Sequence, residues 1–456
     1  MSQEIITKVA RAFHDHSKEL YLVGGTVRDA LLGRSSHDID MATNALPTQI
    51  KEIVAITNPL HVVPIGEKFG TIQVHYTTQN ENEPCIIEIT TYRGERYHSG
   101  SRHPDVQFGT SIVEDLRRRD FTMNALARDA RTGTIIDPFG GQADIRKGFI
   151  RAVDNADQRF TDDPLRLLRA ARFVAQFSFS VPSDTYVAMK RQAHRLAEIS
   201  QERIRDELSK MLLCPRADTG LWFLHDTTLL NAFLPEVAAL SGVMQYPHHR
   251  LDVFGHTRMV LSLTPLRLEV RLAALLHDIA KPQTRTIDDK GVTHFYEHED
   301  VGADVARDIL RRLRFGNDVV DRVSKIIKLH MRVNAYTQEW SNGAVRRLFV
   351  DAEDVLDDLL NLAIADGGSD RNETIEVVRQ HTEHLRERIQ QVQQQTTTHP
   401  LVSPLNGNDL MHLFTRDAGA WLQPVKQHLS DMVIEGTLAP DDKEGAIRKA
   451  RAFIGD

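Results

Sequence analysis

The chain has 456 residues, 41% of them hydrophobic and 26% charged, with aromatics at only 6% and a formal net charge of −7. Such a composition suits a folded, helix-leaning protein, and the length exceeds one compact core, so about three or four domains are expected. Cys85 and Cys214 are too far apart to suggest a disulfide framework or a metal-ligand spacing, and no apolar run approaches bilayer length, which excludes a disulfide scaffold and a helical membrane protein.

The N-terminal stretch MSQEIITKVARAFHDHSKEL is amphipathic and lacks the apolar core of a signal peptide. Together with the sparse cysteines this predicts a cytoplasmic location without membrane association. The net charge carries no global signature of nucleic-acid binding, but it is unevenly placed: arginines cluster at Arg117 to Arg119 and from Arg166 to Arg172, while acids crowd 351–358.

In chain order, Tyr21–Val23, Ile39–Met41, Thr71–Tyr76 and Ile86–Thr91 read as strands, rich in β-branched and aromatic residues. Val27–Leu32, stopped by Gly33, reads as a short helix. Residues 1–143 therefore form an α+β head. From Asp163 onward apolar residues recur at helical spacing and strand signals nearly vanish, with the clearest helices at Leu165–Phe173 and Ile204–Leu213. A helical neck and body is expected over 144–245, ending at a Pro/His stretch near Gln245–Arg250; a His-rich helical domain over 246–372; and a helical tail over 373–456, broken by the polar run Gln391–His399.

The segment LVGGTVRDALLGRSSHDIDMAT, residues 22–43, carries the first chemistry. On a strand, Asp38 and Asp40 point to one face, and paired carboxylates repel unless a divalent cation lies between them. Hard oxygen ligands suit Mg²⁺, which also carries triphosphates. Gly24 and Gly25 open the helix without side chains, so phosphate can approach backbone N–H groups there, and Arg28 adds charge. Glu88 offers a third carboxylate from a neighbouring strand. Alone, Asp-x-Asp is usually a turn or a solvated strand end; its spacing from the glycines, with Arg28 and Asp29 between, singles it out.

This segment resembles the head of the class II tRNA nucleotidyltransferases and bacterial poly(A) polymerases. Four further stretches match in order: RRDFTMNALA at 118–127, IIDPFGG at 135–141, DDPLRLLRAARFVAQFSF at 162–179 and QERIRDELSKML at 201–212, so that the likeness spans about half the chain. It implies a polymerase-β-like mixed sheet followed by all-α domains, with Asp38 and Asp40 catalytic and binding Mg²⁺. It further implies that Gly25, Arg28 and Arg119 contact the nucleotide, and that Asp163, Arg166, Arg169 and Arg172 bind its base and phosphates. The stripe has its own logic, since positions three apart drift slowly along one helix face. A carboxylate accepts hydrogen bonds and a guanidinium donates them, so one of each reads the amine and ring acceptor that cytosine and adenine share. Against this, an acid before Pro164 also looks like a helix cap, and an arginine stripe like a solvated face. Many family members carry Glu at the position of Asp162, which leaves its role open.

Farther on, His256, His277, Asp278, His298, His330 and Asp366 recur in helical surroundings. Imidazoles with carboxylates suit a divalent or transition metal that activates water. The series resembles the HD phosphohydrolase domain, known as an appendage of this head in bacteria, and implies a second metal site that acts on damaged RNA ends or serves structure. The near-neutral tail and the full His/Asp set favour tRNA over open-ended adenylation. Residues 94–115, with Arg96, Arg102 and His103, fill the interval that CC-only relatives shorten, which favours full CCA addition from CTP and ATP. A-only addition, poly(A) synthesis and RNA 3′-end phosphohydrolysis are the alternatives. The tRNA is expected to be held through shape and phosphate, with Lys443, Arg448, Lys449 and Arg451 as tail candidates; no protein partner is inferred.

Overall fold

The alternating run TIQVHY forms a strand whose Ile72, Val74 and Tyr76 are buried while Thr71, Gln73 and His75 stay half-exposed, the period expected of a sheet with one covered face. This is seen in a computed structural model that describes residues 2–34, 39–78, 84–96, 105–109, 111–245, 251–368, 375–396 and 403–455. The chain divides into two units, Met1–Phe233 and Leu234–Asp456.

In the first unit the strands are β1 (Leu20–Val23), β2 (Ile39–Thr43), β3 (His61–Gly66), β4 (Thr71–Tyr76), β5 (Cys85–Thr91), β6 (Arg93–Arg96), β7 (Asp105–Phe108), β8 (Ala127–Asp129) and β9 (Ile135–Ile136). Seven of them make a mixed sheet in the order β3-β4-β5-β2-β1-β8-β9, and β6 pairs with β7. Strand β2 runs parallel to β5 and antiparallel to β1, which sets Asp40 opposite Glu88. Helix Pro47–Ala55 buries Ile50, Ile53 and Val54, and it packs against β4 and β5.

The helix Leu165–Phe177 starts after Pro164, whose φ of −60° is already helical, and stops at Ser178 in the left-handed region. It buries Leu167, Leu168, Ala170, Ala171 and Val174 and packs against helices Gln201–Leu212 and Ala217–Asp226. At Gly220 a Cβ would lie 2.9 Å from the Ala175 Cβ, so glycine lets helix Ala217–Asp226 pack this tightly on Leu165–Phe177.

The second unit is helical, as its periodicity predicts. Helices Val253–Leu263, Leu268–Leu276, His298–Arg312, Asn317–Asn334 and Leu356–Gly367 enclose its core, with Asn342–Ala352 and Ile375–Thr396 packed beside them. One hairpin departs from the expected lack of strands: β10 (Arg285–Ile287) pairs with β11 (Thr293–Phe295) just before the helix at His298. Three-residue strands carry too little alternation to be read. The last three helices, Gly407–Phe414, Leu422–Ile434 and Lys443–Ile454, share their own apolar cluster around Leu410, Leu429 and Ala450. Among the described residues no helix is long and apolar enough to cross a membrane.

Candidate functional site

Strand β2 and the turn before the helix Gly25–Leu31 meet at one end of the mixed sheet, and there a cleft of about 630 Å³ opens. Gly24, Gly25, Arg28 and Asp40 line one side of it; Arg119, Asp163, Arg166, Arg169 and Arg172 line others. Gly24 has φ of 65°, and a Cβ there would lie 2.6 Å from Arg119 Nη1. The backbone twist favours glycine, whatever the room that Arg119 could make by shifting. The Asp40 N–H donates to Thr26 Oγ1 at 2.9 Å, which ties the acid-bearing strand to the glycine turn. Glu88 lies opposite Asp40 in register, and Gln73 donates to its Oε1 at 3.0 Å. Asp38 falls outside the described residues, as do Arg102 and His103.

So many arginines crowd together because each is answered from the protein side. Buried Arg28 donates to Asp29 and, at 2.6 Å, to Asn124 Oδ1. Arg118 and Arg119 pair with buried Asp115 at 2.7 and 3.2 Å. Burial pushes that carboxyl up, but the two guanidiniums outweigh it and hold the group below its ordinary range. Arg169 donates to Asp120 at 2.7 Å, and Asp120, although desolvated, is held ionised well below the usual carboxylate range by Arg169 and Asn124. Arg172 donates to buried Glu207 at 2.7 Å and lies over the Phe173 ring at 4.3 Å, a ring that Arg28 and Arg169 also approach.

The helix stripe thus converges on the cleft, but its members differ. Arg166 is buried and donates to the backbone carbonyls of Arg159 at 3.0 Å and Arg118 at 2.7 Å, so its guanidinium is fixed in place. Asp163 accepts from the Leu165 N–H at 3.2 Å, the capping geometry, and from Arg203 at 2.9 Å while still lining the cleft. Asp162 turns inward, with its side chain 4% exposed, and pairs with Arg159 at 2.9 Å. Its place is structural.

Sequence reasoning did not single out Asp120, Asn124, Arg203, Glu207 or Lys210. Arg203, Glu207 and Lys210 recur at helical spacing on Gln201–Leu212, a signal that identifies a face but not what it faces.

The second unit holds a cavity of about 500 Å³ over the histidine series. His256, His277, Asp278, His298 and His330 are buried. The ligand atoms of His256, His277 and Asp278 lie within 4.8 Å of one another, as do those of Asp278, His298 and His330. Asp366 joins them, 3.0 Å from His256 Nε2. In three of the rings Nδ1 faces a nearby carbonyl: Ala274 at 3.0 Å from His277, Phe295 at 2.8 Å from His298 and Ile327 at 2.6 Å from His330. Such bonds hold the proton on Nδ1 and leave the Nε2 lone pairs free of it, as in imidazoles that bind metals. Buried His298 Nε2 has no hydrogen-bond partner among the described residues. Burial lowers His330 to about 4, so it is neutral at pH 7. Burial also pushes His277 down, but Asp278 beside it prevails and raises it. Lys281 bridges Asp278 at 2.8 Å and Gln245 at 2.6 Å. Helix Ile375–Thr396 lends His381 and Thr382 to the wall, a contribution the sequence does not announce.

Residues 20–151 match the model of the poly(A) polymerase head domain, 178–240 that of a probable RNA- and SrmB-binding site of polymerase A, and 248–399 that of the HD domain. A CC-adding tRNA nucleotidyltransferase of Thermus thermophilus is 33% identical over 96% of this chain and 93% of its own length. The CCA-adding enzyme of Geobacillus thermodenitrificans is 45% identical, but over 50% of this chain and 54% of that enzyme, so the chain spans about half the length of such relatives. Among solved structures, the CCA-adding enzyme of Bacillus stearothermophilus in complex with CTP superposes with a TM-score of 0.70 at 28% identity, over 98% of this chain and 97% of that one.

Proposed function

As the chain belongs to the family of class II tRNA nucleotidyltransferases and bacterial poly(A) polymerases, we propose that it adds C, C and A to the 3′ end of tRNA from CTP and ATP with Mg²⁺. One observation carries this reading: Asp40, the glycine turn and the arginine stripe line a single cleft. The RNA 3′-hydroxyl attacks the α-phosphate, its proton leaves to solvent, and the bond to the β-phosphate oxygen breaks with its electron pair on departing pyrophosphate. Asp40, with Asp38 two residues before it, would hold Mg²⁺, which when bound would supply acidification of the attacking hydroxyl and neutralisation of the leaving group. Arg28, Arg119, Arg169 and Arg172 present spare N–H groups to the triphosphate, fixed beforehand by their own acids. Asp163 and Arg166 stand one turn apart as acceptor and donor, and the carbonyl-anchored guanidinium suits a rigid reader of cytosine and adenine. Catalysis is then mainly positioning and electrostatics.

Extension of tRNA transcripts that end before the terminus, after one C and after two, with CTP and ATP separately and together, tests it. Ordered addition that stops after A supports the reading; adenine tracts of open length would refute it. The Thermus relative favours a second reading, CC addition alone, marked by no use of ATP on a CC end.

The His/Asp cavity we assign to metal-dependent hydrolysis of phosphoesters at RNA 3′ ends. His256, His277, Asp278 and Asp366, with His298 and His330 beside them, suit a divalent cation: imidazole nitrogens and carboxylate oxygens gather within 4.8 Å of one another in each group of three. Such an ion supplies an activated water. Release of phosphate from a 3′-phosphorylated RNA end, lost in His277→Ala, is the expected result.

A further inference from the structure

A hairpin too short to be read in the sequence stands at the mouth of the second unit's cavity, and its side chains do something the metal ligands cannot. His294 and Tyr296 both line the cavity, and their rings stack with centroids 5.3 Å apart and planes 13° from parallel. Tyr296 is 67% exposed, a large open face for an aromatic ring on a cavity wall. The pair is held from behind: His294 Nε2 lies 3.1 Å from Asp288 Oδ2, and the other Asp288 oxygen accepts the Lys290 and Val292 N–H groups at 2.9 Å, closing the hairpin turn. Only Glu297, in the left-handed region at φ 57°, separates Tyr296 from the cluster residue His298. Two residues of chain reach about 7 Å at most. Tyr296 and His298 therefore stand close together on the wall of one cavity.

Resting on the reading of this cavity as a phosphoester site, we propose that the His294–Tyr296 stack is its nucleobase platform, so that the substrate class is base-bearing phosphoesters, the terminal nucleotide of an RNA, rather than phosphoesters at large. The base lies on the open Tyr296 face and its phosphate points to the His/Asp cluster, where Lys281 adds positive charge. Stacking tolerates any base, since each has a π face. The platform therefore selects for the presence of a base and not for its identity.

The test uses the full chain loaded with Mn²⁺ and two probes, adenosine 3′-monophosphate and ribose 5-phosphate, titrated by calorimetry and followed for phosphate release. Tyr296→Ala lies far in sequence from the first unit's cleft, so differences between it and the parent chain report on the cavity. The parent chain should bind the nucleotide about ten-fold more tightly than the sugar phosphate, Tyr296→Ala should erase that difference, and Tyr296→Phe should keep it. Equal loss for both probes in Tyr296→Ala, or no loss for either, overturns the platform. Nucleotide binding that depends on Tyr296 without any phosphate release would refute the hydrolase reading and uphold the platform. Release with equal KM for both probes would do the reverse.

Discussion

The cleft of the first unit and the cavity of the second are close in size, about 630 and 500 Å³, and both gather ionisable side chains, yet the proposed ligands are of opposite sign. In the cleft the guanidiniums take their acids from the protein side, Asp115, Asp120 and Glu207, and the N–H groups left over are donors for an anion. In the cavity three imidazoles bind nearby carbonyls through Nδ1, and the nitrogens left over are acceptors for a cation. In each case buried partners fix a polar group by one edge, and the other edge defines the ligand.

The sharpest way to break that contrast is to remove an acid from each site. Asp40→Ala should lower nucleotide incorporation by about 10³-fold or more, because positioning alone cannot replace metal-assisted displacement. Metal bound in the second unit, measured by elemental analysis, should stay unchanged. Asp278→Ala should do the opposite: metal content falls, and buried Lys281 is left without its carboxylate, a loss of about 3 kcal/mol or more in the second unit's stability. Thermal melting reads this, while tRNA extension stays within about two-fold. Loss of both functions in either variant would mean that the two sites are not separately prepared.

A smaller effect separates the sites by pH. The lowered Asp120 carboxyl contributes stability that is fully present above its unfolded value near 4 and is lost as pH falls through the folded value. Asp120→Asn should therefore be less stable than the parent at pH 7 by about 1–3 kcal/mol, discounted because Arg169 is one-third exposed. In urea titrations that gap should narrow below pH 4, where the unfolded parent's carboxyl takes up a proton that the folded one resists. A gap that stays constant down to pH 2 would refute the assignment.

What the sequence disclosed follows from the range of each signal. Strand alternation at Thr71–Tyr76 and the three-residue spacing of Arg166, Arg169 and Arg172 are local, and the structure reproduces both elements. The histidines were legible as residue types because their family motifs surround them. Asp120, Asn124 and Glu207 were not, since their work is to hold arginines that lie 35 to 96 residues away. Nor does spacing say that Arg166 is anchored by two carbonyls while Arg169 is anchored by a carboxylate. The β10–β11 hairpin escaped for another reason: three-residue strands fall below the length at which alternation differs from chance.

Lys210 gives the finest test of the contrast. It lines the cleft from the helix Gln201–Leu212, but unlike Arg169 and Arg172 it has no carboxylate within ion-pair distance among the described residues. A guanidinium already paired loses part of its long-range field to its partner, whereas an ammonium without one keeps it. Lys210 should therefore act mainly by drawing the triphosphate in, through a charge that salt screens over about 10 Å at 0.1 M. Lys210→Ala is expected to raise KM for CTP and ATP by about three- to ten-fold with kcat nearly unchanged, and that penalty should shrink as salt is raised from 50 to 300 mM. A fall in kcat that salt does not touch would place Lys210 on the reacting phosphate instead, as a positioning group like its arginine neighbours.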